Sequence, residues 1–147
     1  MSGLPLSGVW GKPEVVKPGN PAAGTFFGIA VPANEQWFVW SVAITLATEG
    51  TAGNRGAIVQ CEAGGIQLFQ MHFKIAQPAS TVAQYFFQLE LPDDTVFEAI
   101  PPIINRAHFQ MPKIVLPPSS TLFVIVLIEK PLDQLSNPAL VISRSYL

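Results

Sequence analysis

The feature that most constrains this chain is a series of short segments in which apolar and polar residues alternate. The clearest segment runs from Gln36 to Thr48, where Trp40, Val42 and Ile44 fall on one face and small or polar residues fall on the other. A period of two is typical of a strand with one buried face, because successive side chains in a strand point to opposite sides. No stretch of ten residues has the helical period, so the sequence predicts an all-β protein.

The alternation predicts about eight strands, separated by turn residues. They span residues 25–31, 36–48, 57–62, 66–75, 82–91, 107–116, 121–128 and 139–146. Pro112 interrupts the sixth strand, which indicates an edge or a bend because proline cannot donate to the ladder. The seventh strand is apolar on both faces and is predicted to be central and covered from both sides. The segment 132–138 is predicted to be a loop with one possible helical turn.

Regular turns with connections of unequal length favour a jelly-roll β-sandwich over an up-and-down barrel. The same alternation predicts the core. We expect Trp40, Ile44, Phe73 and Phe87 to be buried. Truncating such a side chain, as in Trp40→Ala or Phe73→Ala, is expected to cost about 3–5 kcal/mol.

The first 24 residues differ from the rest and divide the chain into an extended arm, 1–24, and a sandwich domain, 25–147. Closely spaced proline and glycine prevent a helix or a continuous ladder in the arm. The arm nevertheless carries apolar side chains suited to docking, which we take as partner-binding candidates. They are Leu4, Leu6, Val9, Trp10, Val15 and Val16. An arm folded back on its own domain is the alternative.

Composition indicates how the surface is used. Only 12% of the residues are charged, against roughly 25% in a typical soluble domain. We therefore expect the chain to bind other protein, first of all copies of itself as a homo-oligomer. The formal net charge is −2 and the Lys and Arg residues are scattered, which argues against nucleic acid as a partner because phosphate binding needs clustered cations.

No segment of the sequence predicts a membrane span or a secretion signal. The longest strongly apolar run, Leu122 to Ile128, is far shorter than the ~20 residues that a spanning helix needs. Residues 1–12 lack the basic start and apolar stretch of a signal peptide. We expect synthesis in the cytoplasm of the cell that produces the chain, and no membrane partner.

The sequence offers no convincing catalytic or cofactor site, so we expect a protein that is not an enzyme. Cys61 lies in an alternating strand and is expected to be a small core residue. His72 and His108 could form a metal site only if the fold brought them together with a carboxylate; otherwise they are surface histidines. Asp93 and Asp94 follow a proline and fit a solvated turn better than a pair of catalytic acids.

The aromatic residues have two interpretations. They could form a sugar-binding platform, as in lectin-like sandwiches, but most of them lie in strands at the spacing of a core. We expect Trp10 and one of the pair Trp37 and Phe38 to be exposed. Trp37 is therefore also a partner-binding candidate.

Three short motifs carry a resemblance to a known group of proteins. They are the turn from Val31 to Val39 with its Pro-x-x-Glu-x-Trp pattern, the Gly-Asn-Arg loop ending at Arg55, and the turn from Leu116 to Leu122. The Leu132-Asp133 step before the last strand fits the same pattern. Most of the stretch 25–147 resembles small jelly-roll virion structural proteins of tailed bacteriophages.

That resemblance implies a trimeric, non-enzymatic structural protein located in the virion. The role it favours is a cement or decoration protein that binds the major capsid protein or other virion proteins and stabilises the head. A tail or fibre component is the first alternative. A carbohydrate-binding, receptor-recognition module is the second, and a jelly-roll metalloenzyme the third.

Overall fold

The computed structural model describes residues 10–72, 76–89, 98–100, 104–128 and 130–147. These residues form eleven strands and no helix, so the described part also contains no helix that could cross a membrane. The strands are β1 (Glu14–Val16), β2 (Phe27–Ala30), β3 (Glu35–Ala47), β4 (Gly56–Ala63), β5 (Ile66–His72), β6 (Val82–Leu89), β7 (Glu98–Ile100), β8 (Ile104–Met111), β9 (Ile114–Leu116), β10 (Thr121–Leu127) and β11 (Gln134–Tyr146). The all-β prediction is confirmed.

The strands form two sheets, and their pairing is nested. The seven-stranded sheet has the order β1-β11-β3-β6-β8-β7 with β9 also paired to β3, and the four-stranded sheet has the order β2-β10-β4-β5. The pairs β1–β11 and β3–β6 lie in the first sheet, and β2–β10 and β4–β5 lie in the second. One long antiparallel ribbon is thus folded so that successive pairs alternate between the sheets. This is the jelly-roll arrangement that the sequence predicts.

The strands β7, β8 and β9 are inserted between β6 and β10 and extend the larger sheet. β8 runs parallel to β6, and β9 pairs with β3 at Trp37–Val39. Pro112 separates β8 from β9, at the step where the chain moves from the outer side of β6 to the edge of β3. The predicted break at Pro112 is confirmed.

The core lies between the two sheets and comprises the inward side chains of both. Ile44 and Phe87 are buried as predicted. Phe87 stacks on Phe109 with ring centroids 5.4 Å apart, and Tyr85 stacks on Phe109 at 6.3 Å. Phe73, which was also predicted to be buried, lies outside the described residues.

The prediction for Trp40 is wrong, because a β-bulge changes the phase of β3. Ser41 pairs with Val141 and Val39 pairs with Ile142, so Trp40 has no partner residue of its own. The extra residue shifts the alternation by one position, so odd-numbered residues face the core before the bulge and even-numbered residues face it afterwards. Trp40 therefore lies on the outer face of the sheet with 39% of its surface exposed, while Val39 and Val42 both point into the core.

Two further predictions about the last strands need correction. β11 begins at Gln134, inside the segment predicted to be a loop, because a second register shift between Ser136 and Ala139 lets the strand accommodate Pro138. β10 is central in its sheet as predicted, between β2 and β4. It is not covered from both sides, however, since its outward Phe123 and Ile125 are only half-buried.

The described part of the arm, residues 10–24, runs along the chain's own sandwich. β1 pairs with β11, and the Gly11 amide donates to the Arg144 carbonyl oxygen at 2.7 Å. Val16 packs against the core. The folded-back alternative therefore holds for these residues, whereas the first nine residues lie outside the described part.

Candidate interaction surfaces

The described surface offers a partner exposed apolar side chains, and a cluster of charge holds each end of the sandwich. The end at which β3 finishes, near Ala47, is called the locked end below. The opposite end, near Glu35, is called the arm end because the arm reaches it.

At the arm end, three aromatic rings form an outer cluster on the larger sheet. The Trp10 ring lies 6.0 Å from that of Phe38, and the Phe38 ring lies 4.7 Å from that of Trp40. Trp40 donates from its indole to the Ser143 hydroxyl at 2.9 Å. The indole N–H of Trp10 is buried and has no acceptor among the described residues. A buried donor without a partner is costly, so this position favours an acceptor supplied from outside the described residues.

A chain of charges at the same end fixes β1 to the sheet. Arg144 donates to Glu14 at 2.6 Å and to both carboxylate oxygens of Glu35, at 3.0 and 3.2 Å. Its guanidinium also lies 5.4 Å from the centre of the Trp37 ring, and Trp37 donates to Glu35 at 2.7 Å. Burial opposes the charge of Arg144, but the two carboxylates hold its pKa above the ordinary value. The Glu14–Arg144 pair remains open to solvent.

The locked end is held by an ion pair of a different kind. Arg55 binds Asp133 through two hydrogen bonds, at 2.9 and 3.1 Å, and both side chains are fully buried. Arg55 also donates to the carbonyl oxygens of Thr51 and Gly53. One guanidinium thus closes the loop after β3 and joins it to the segment before β11.

Asp133 completes the lock by accepting two backbone N–H groups. The donors are Glu49 and Lys130, each at 2.9 Å. Burial alone would raise the pKa of Asp133, but the hydrogen bonds from Arg55 and from these amides hold it below the ordinary value. The hydrogen bond to Asp133 likewise raises the pKa of Arg55. Nearby, Gln77 bonds the Arg55 backbone and accepts from the Tyr85 hydroxyl at 2.7 Å.

The outer face of the four-stranded sheet carries an exposed aromatic pair. The Phe26 and Phe123 rings meet edge to face with centroids 5.4 Å apart, and Phe26 is 53% exposed. Gly28 makes room for this pair, since a Cβ there would lie 3.0 Å from the Phe123 ring. Leu68 and Ile66 are exposed farther along β5. Phe26 and Phe123 therefore form an apolar patch on this face.

Beside that pair runs a row of polar side chains that satisfy one another. Gln60 donates to Glu62 at 2.8 Å and accepts from Gln70 at 3.1 Å, while His72 bonds the Gln70 side-chain oxygen at 2.8 Å. The row crosses β4 and β5 on the outer face. Because its members already bond each other, the row offers a partner a partly satisfied polar border to the apolar patch.

A groove of about 390 Å³ opens between the edge of the smaller sheet and β9. Its walls come from β5 on one side and from the Pro112 turn and β9 on the other. It is lined by Phe69, Gln70, Met71, Pro112, Lys113, Ile114 and Val115. β5 ends the strand order of its sheet, so its second edge has no partner strand among the described residues.

The chemical candidates stay apart. Cys61 is buried, as predicted, and burial raises the pKa of its thiol. His72 lies on the outer face of the smaller sheet and His108 stacks on Phe86, 5.0 Å between ring centroids, in the larger sheet. Within the described ranges no three His, Cys, Asp or Glu side chains converge as metal ligands would. Asp93 and Asp94 lie outside the described residues.

The partner-binding candidates have mixed outcomes. Leu4, Leu6 and Val9 lie outside the described residues, so their role stays a prediction. In the described arm, Val15 is 59% exposed, whereas Val16 faces the core.

The exposure predicted for the pair Trp37 and Phe38 is wrong. Trp37 is only 3% exposed because its side chain lies in the core and its indole is bonded to Glu35. Phe38 is covered by Trp10 and Trp40. Trp37 is therefore corrected from a partner-binding residue to a core residue.

Sequence interpretation missed the exposed pair on the smaller sheet and the buried lock. The pair had a signal: Phe26 and Phe27 are adjacent, so a strand must turn one of them outward. The lock joins Arg55 to Asp133 across 78 positions, and no local pattern links the two. Arg55 and Asp133 both belong to segments that carry the resemblance stated above. Glu35 and Trp37, which are joined by a hydrogen bond, also belong to such a segment.

Comparison with known proteins adds little to this geometry. No family model and no curated protein matches the chain. Among solved structures, it is similar to dimeric latent PorU from Porphyromonas gingivalis (TM-score 0.39, 11% identity, 95% of this chain and 13% of that one). It is also similar to a chain of the T13 IBDV viral particle (TM-score 0.40, 8% identity, 94% and 36%). The chain thus spans a minor part of either protein.

Proposed function

We propose that this chain is a non-enzymatic structural protein of a virion, which assembles as a homotrimer and binds the major capsid protein as a cement or decoration protein. The assembly half of the proposal comes from the surface of the described sandwich. The virion half comes from the resemblance of the segments around Glu35, Arg55 and Leu116 to phage virion proteins.

The observation that carries the proposal is the distribution of exposed apolar side chains on flat sheet faces. Phe26 lies on the smaller sheet, Trp40 on the larger sheet and Val15 on the arm, and each is at least 39% exposed. Large exposed apolar patches in a chain with few charges are typical of interaction sites between proteins. A standard interface buries about 800 Å² per partner, and the described chain has 7742 Å² of surface.

The position of the aromatic rings favours assembly over sugar binding. A sugar-binding module needs exposed rings clustered at one loop end with free polar side chains beside them. Here Phe26 and Phe123 lie on the face of a sheet, and the neighbouring row of Gln60, Gln70 and His72 is internally bonded. The arrangement suits a flat protein contact better than a pocket.

The experiment is a mass measurement by light scattering on the purified full chain at micromolar concentration, followed by co-sedimentation with phage heads. We expect the purified chain to be a trimer in solution and to bind phage heads saturably. Trp40→Ser and Phe26→Ser should weaken assembly or binding, because each removes an exposed apolar contact. Asn54→Ser, an exposed change at the locked end, is the matched control and should leave both unchanged.

A stable monomer that does not bind heads would overturn the proposal. A trimer that binds tails or fibres instead would replace the cement role by the first alternative. Binding of a defined oligosaccharide, lost with the Phe26 substitution, would replace it by the carbohydrate-binding module.

A further inference from the structure

We propose that the groove beside β5 receives residues 1–9 of a neighbouring copy, which pair with the free edge of β5 as an added strand. This inference rests on the proposed function, since it requires a second copy. It names the contact through which one copy holds the next.

The receiving site is an open strand edge next to an apolar groove. β5 pairs with β4 on one side only, among the strands described. The adjoining groove is bordered by Phe69 and Met71 on β5 and by Ile114 and Val115 on β9, and its volume of about 390 Å³ lies in the range of binding pockets. An extended peptide added to an edge gains main-chain hydrogen bonds from the strand and specificity from pockets for alternate side chains.

The sequence of residues 1–9 fits that requirement. The segment has no charged side chain, and Leu4 and Leu6 are two positions apart, so in extended form both would point into the groove. The backbone groups of these two residues would then face the same neighbouring strand. Pro5, between them, would turn its missing N–H away from β5, which is the position in an edge strand where proline is tolerated.

The position of Trp10 favours the groove of a neighbour over the chain's own groove. The arm lies outside β11, as the Gly11 bond to Arg144 shows, so β11, β3 and β9 separate it from its own groove. Three strand spacings amount to about 14 Å, which would use four or five residues that extend ~3.3 Å each. Counted back from Trp10, this crossing would include Leu6, so Leu4 and Leu6 could not both lie along the chain's own β5.

The test is photo-crosslinking on the full chain, with benzoylphenylalanine in place of Leu6. The probe-bearing chain is mixed with an equal amount of a ¹⁵N-labelled chain without a probe, and the crosslinked peptides are identified by mass spectrometry. We expect the probe peptide joined to residues 66–72 or 112–115 of the labelled copy. A probe at Lys12, which lies on the arm beside β11, is the matched control and should crosslink within its own chain.

Light scattering of the same probe-bearing sample separates the possible failures. Crosslinks from Leu6 only within one chain, or to other surfaces of an intact oligomer, would overturn the groove assignment and leave the proposed function standing. A chain that is monomeric both with and without the probe, and that does not bind heads, would overturn the proposed function itself, and the inference with it. Fewer intermolecular crosslinks with Leu4→Asp added to the probe chain, at unchanged thermal midpoint, would be the further expected result.

Discussion

The two ends of the sandwich each contain an arginine bound to carboxylate, but in opposite surroundings. At the locked end, Arg55 and Asp133 are both fully buried and every oxygen of the carboxylate is bonded. At the arm end, Arg144 and Glu14 remain open to solvent. Removing one partner of a buried pair leaves an uncompensated charge, whereas an exposed pair is worth little. The first end is therefore built to stay closed, whereas the second can release β1 and the residues before it.

The difference between the two ends is tested most directly by a substitution at Asp133. Asp133→Ala leaves the Arg55 guanidinium buried without its carboxylate and leaves two backbone N–H groups without an acceptor. We expect the thermal midpoint to fall by about 10 °C or more, as measured by circular dichroism. Glu14→Ala at the arm end is the matched control and should lower it by at most about 3 °C. Equal losses at both ends would show that burial does not distinguish them.

Trp40 and Phe87 test the corrected face assignment of β3. Phe87 is completely buried, so Phe87→Ala should cost about 3–5 kcal/mol of unfolding free energy. Trp40 lies on the outer face and is 39% exposed, so Trp40→Ala should cost about 1–2 kcal/mol, because only part of its apolar surface leaves a protein environment. Chemical denaturation measures both. A Trp40 loss as large as that of Phe87 would return Trp40 to the core.

Acid should act first on the locked end. The pKa of Asp133 is lower in the folded chain than its ordinary value of about 3.9. The folded state therefore binds fewer protons, and the stability that this group contributes is fully present above about pH 4 and is lost as the pH falls through the folded pKa. Glu49, whose pKa is lowered chiefly by its hydrogen bond from Thr51, acts in the same direction. We expect the midpoint of denaturation to decrease as the pH is lowered below about 4. In Asp133→Asn this decrease with pH should be less steep.

The smallest effect is expected at Glu14. Glu14→Gln should free β1 locally without unfolding the sandwich, because Val16 still packs against the core. An exposed pair is worth about 0.2–1 kcal/mol, so amide exchange at Val15 and Val16 should rise by about two- to fivefold. Hydrogen exchange followed by mass spectrometry measures it. Salt at 1 M should produce a similar rise in the unmodified chain, and no change in either case would mean that the pair does not hold the arm.

The fold could be predicted from the sequence because its strands are local patterns. The alternation in β6 and the break at Pro112 are visible in a few residues, and both are confirmed. The side chains of β3 that point into the core could not all be predicted, because the bulge at Trp40 depends on a partner strand about a hundred positions away. The start of β11 was missed for a related reason, since Pro138 is tolerated only through a register shift.

The interaction surfaces were predicted less well than the fold. One of the adjacent pair Trp37 and Phe38 was expected to be exposed, which made Trp37 a partner-binding candidate. Glu35, however, satisfies the Trp37 indole and allows its burial. Phe26 and Phe123 were not singled out, because each is ordinary in its own strand and only the pairing of β2 with β10 brings them together. Exposure is a property of neighbouring strands, and it cannot be deduced one segment at a time.

The nested ribbon has a consequence for how the chain folds during synthesis. β3 has β11 as a neighbour in the larger sheet, yet Gln134 follows Ala47 by 87 positions. At about 5–20 residues per second, a ribosome adds the missing strand roughly 4–17 s later. The β4–β5 and β7–β8 hairpins pair residues that are close in sequence, so both can form from local contacts before β11 is made. Until β11 has been made, the long apolar β3 has an unpaired edge. This chain should therefore depend on chaperones during its synthesis and fold slowly once it is complete.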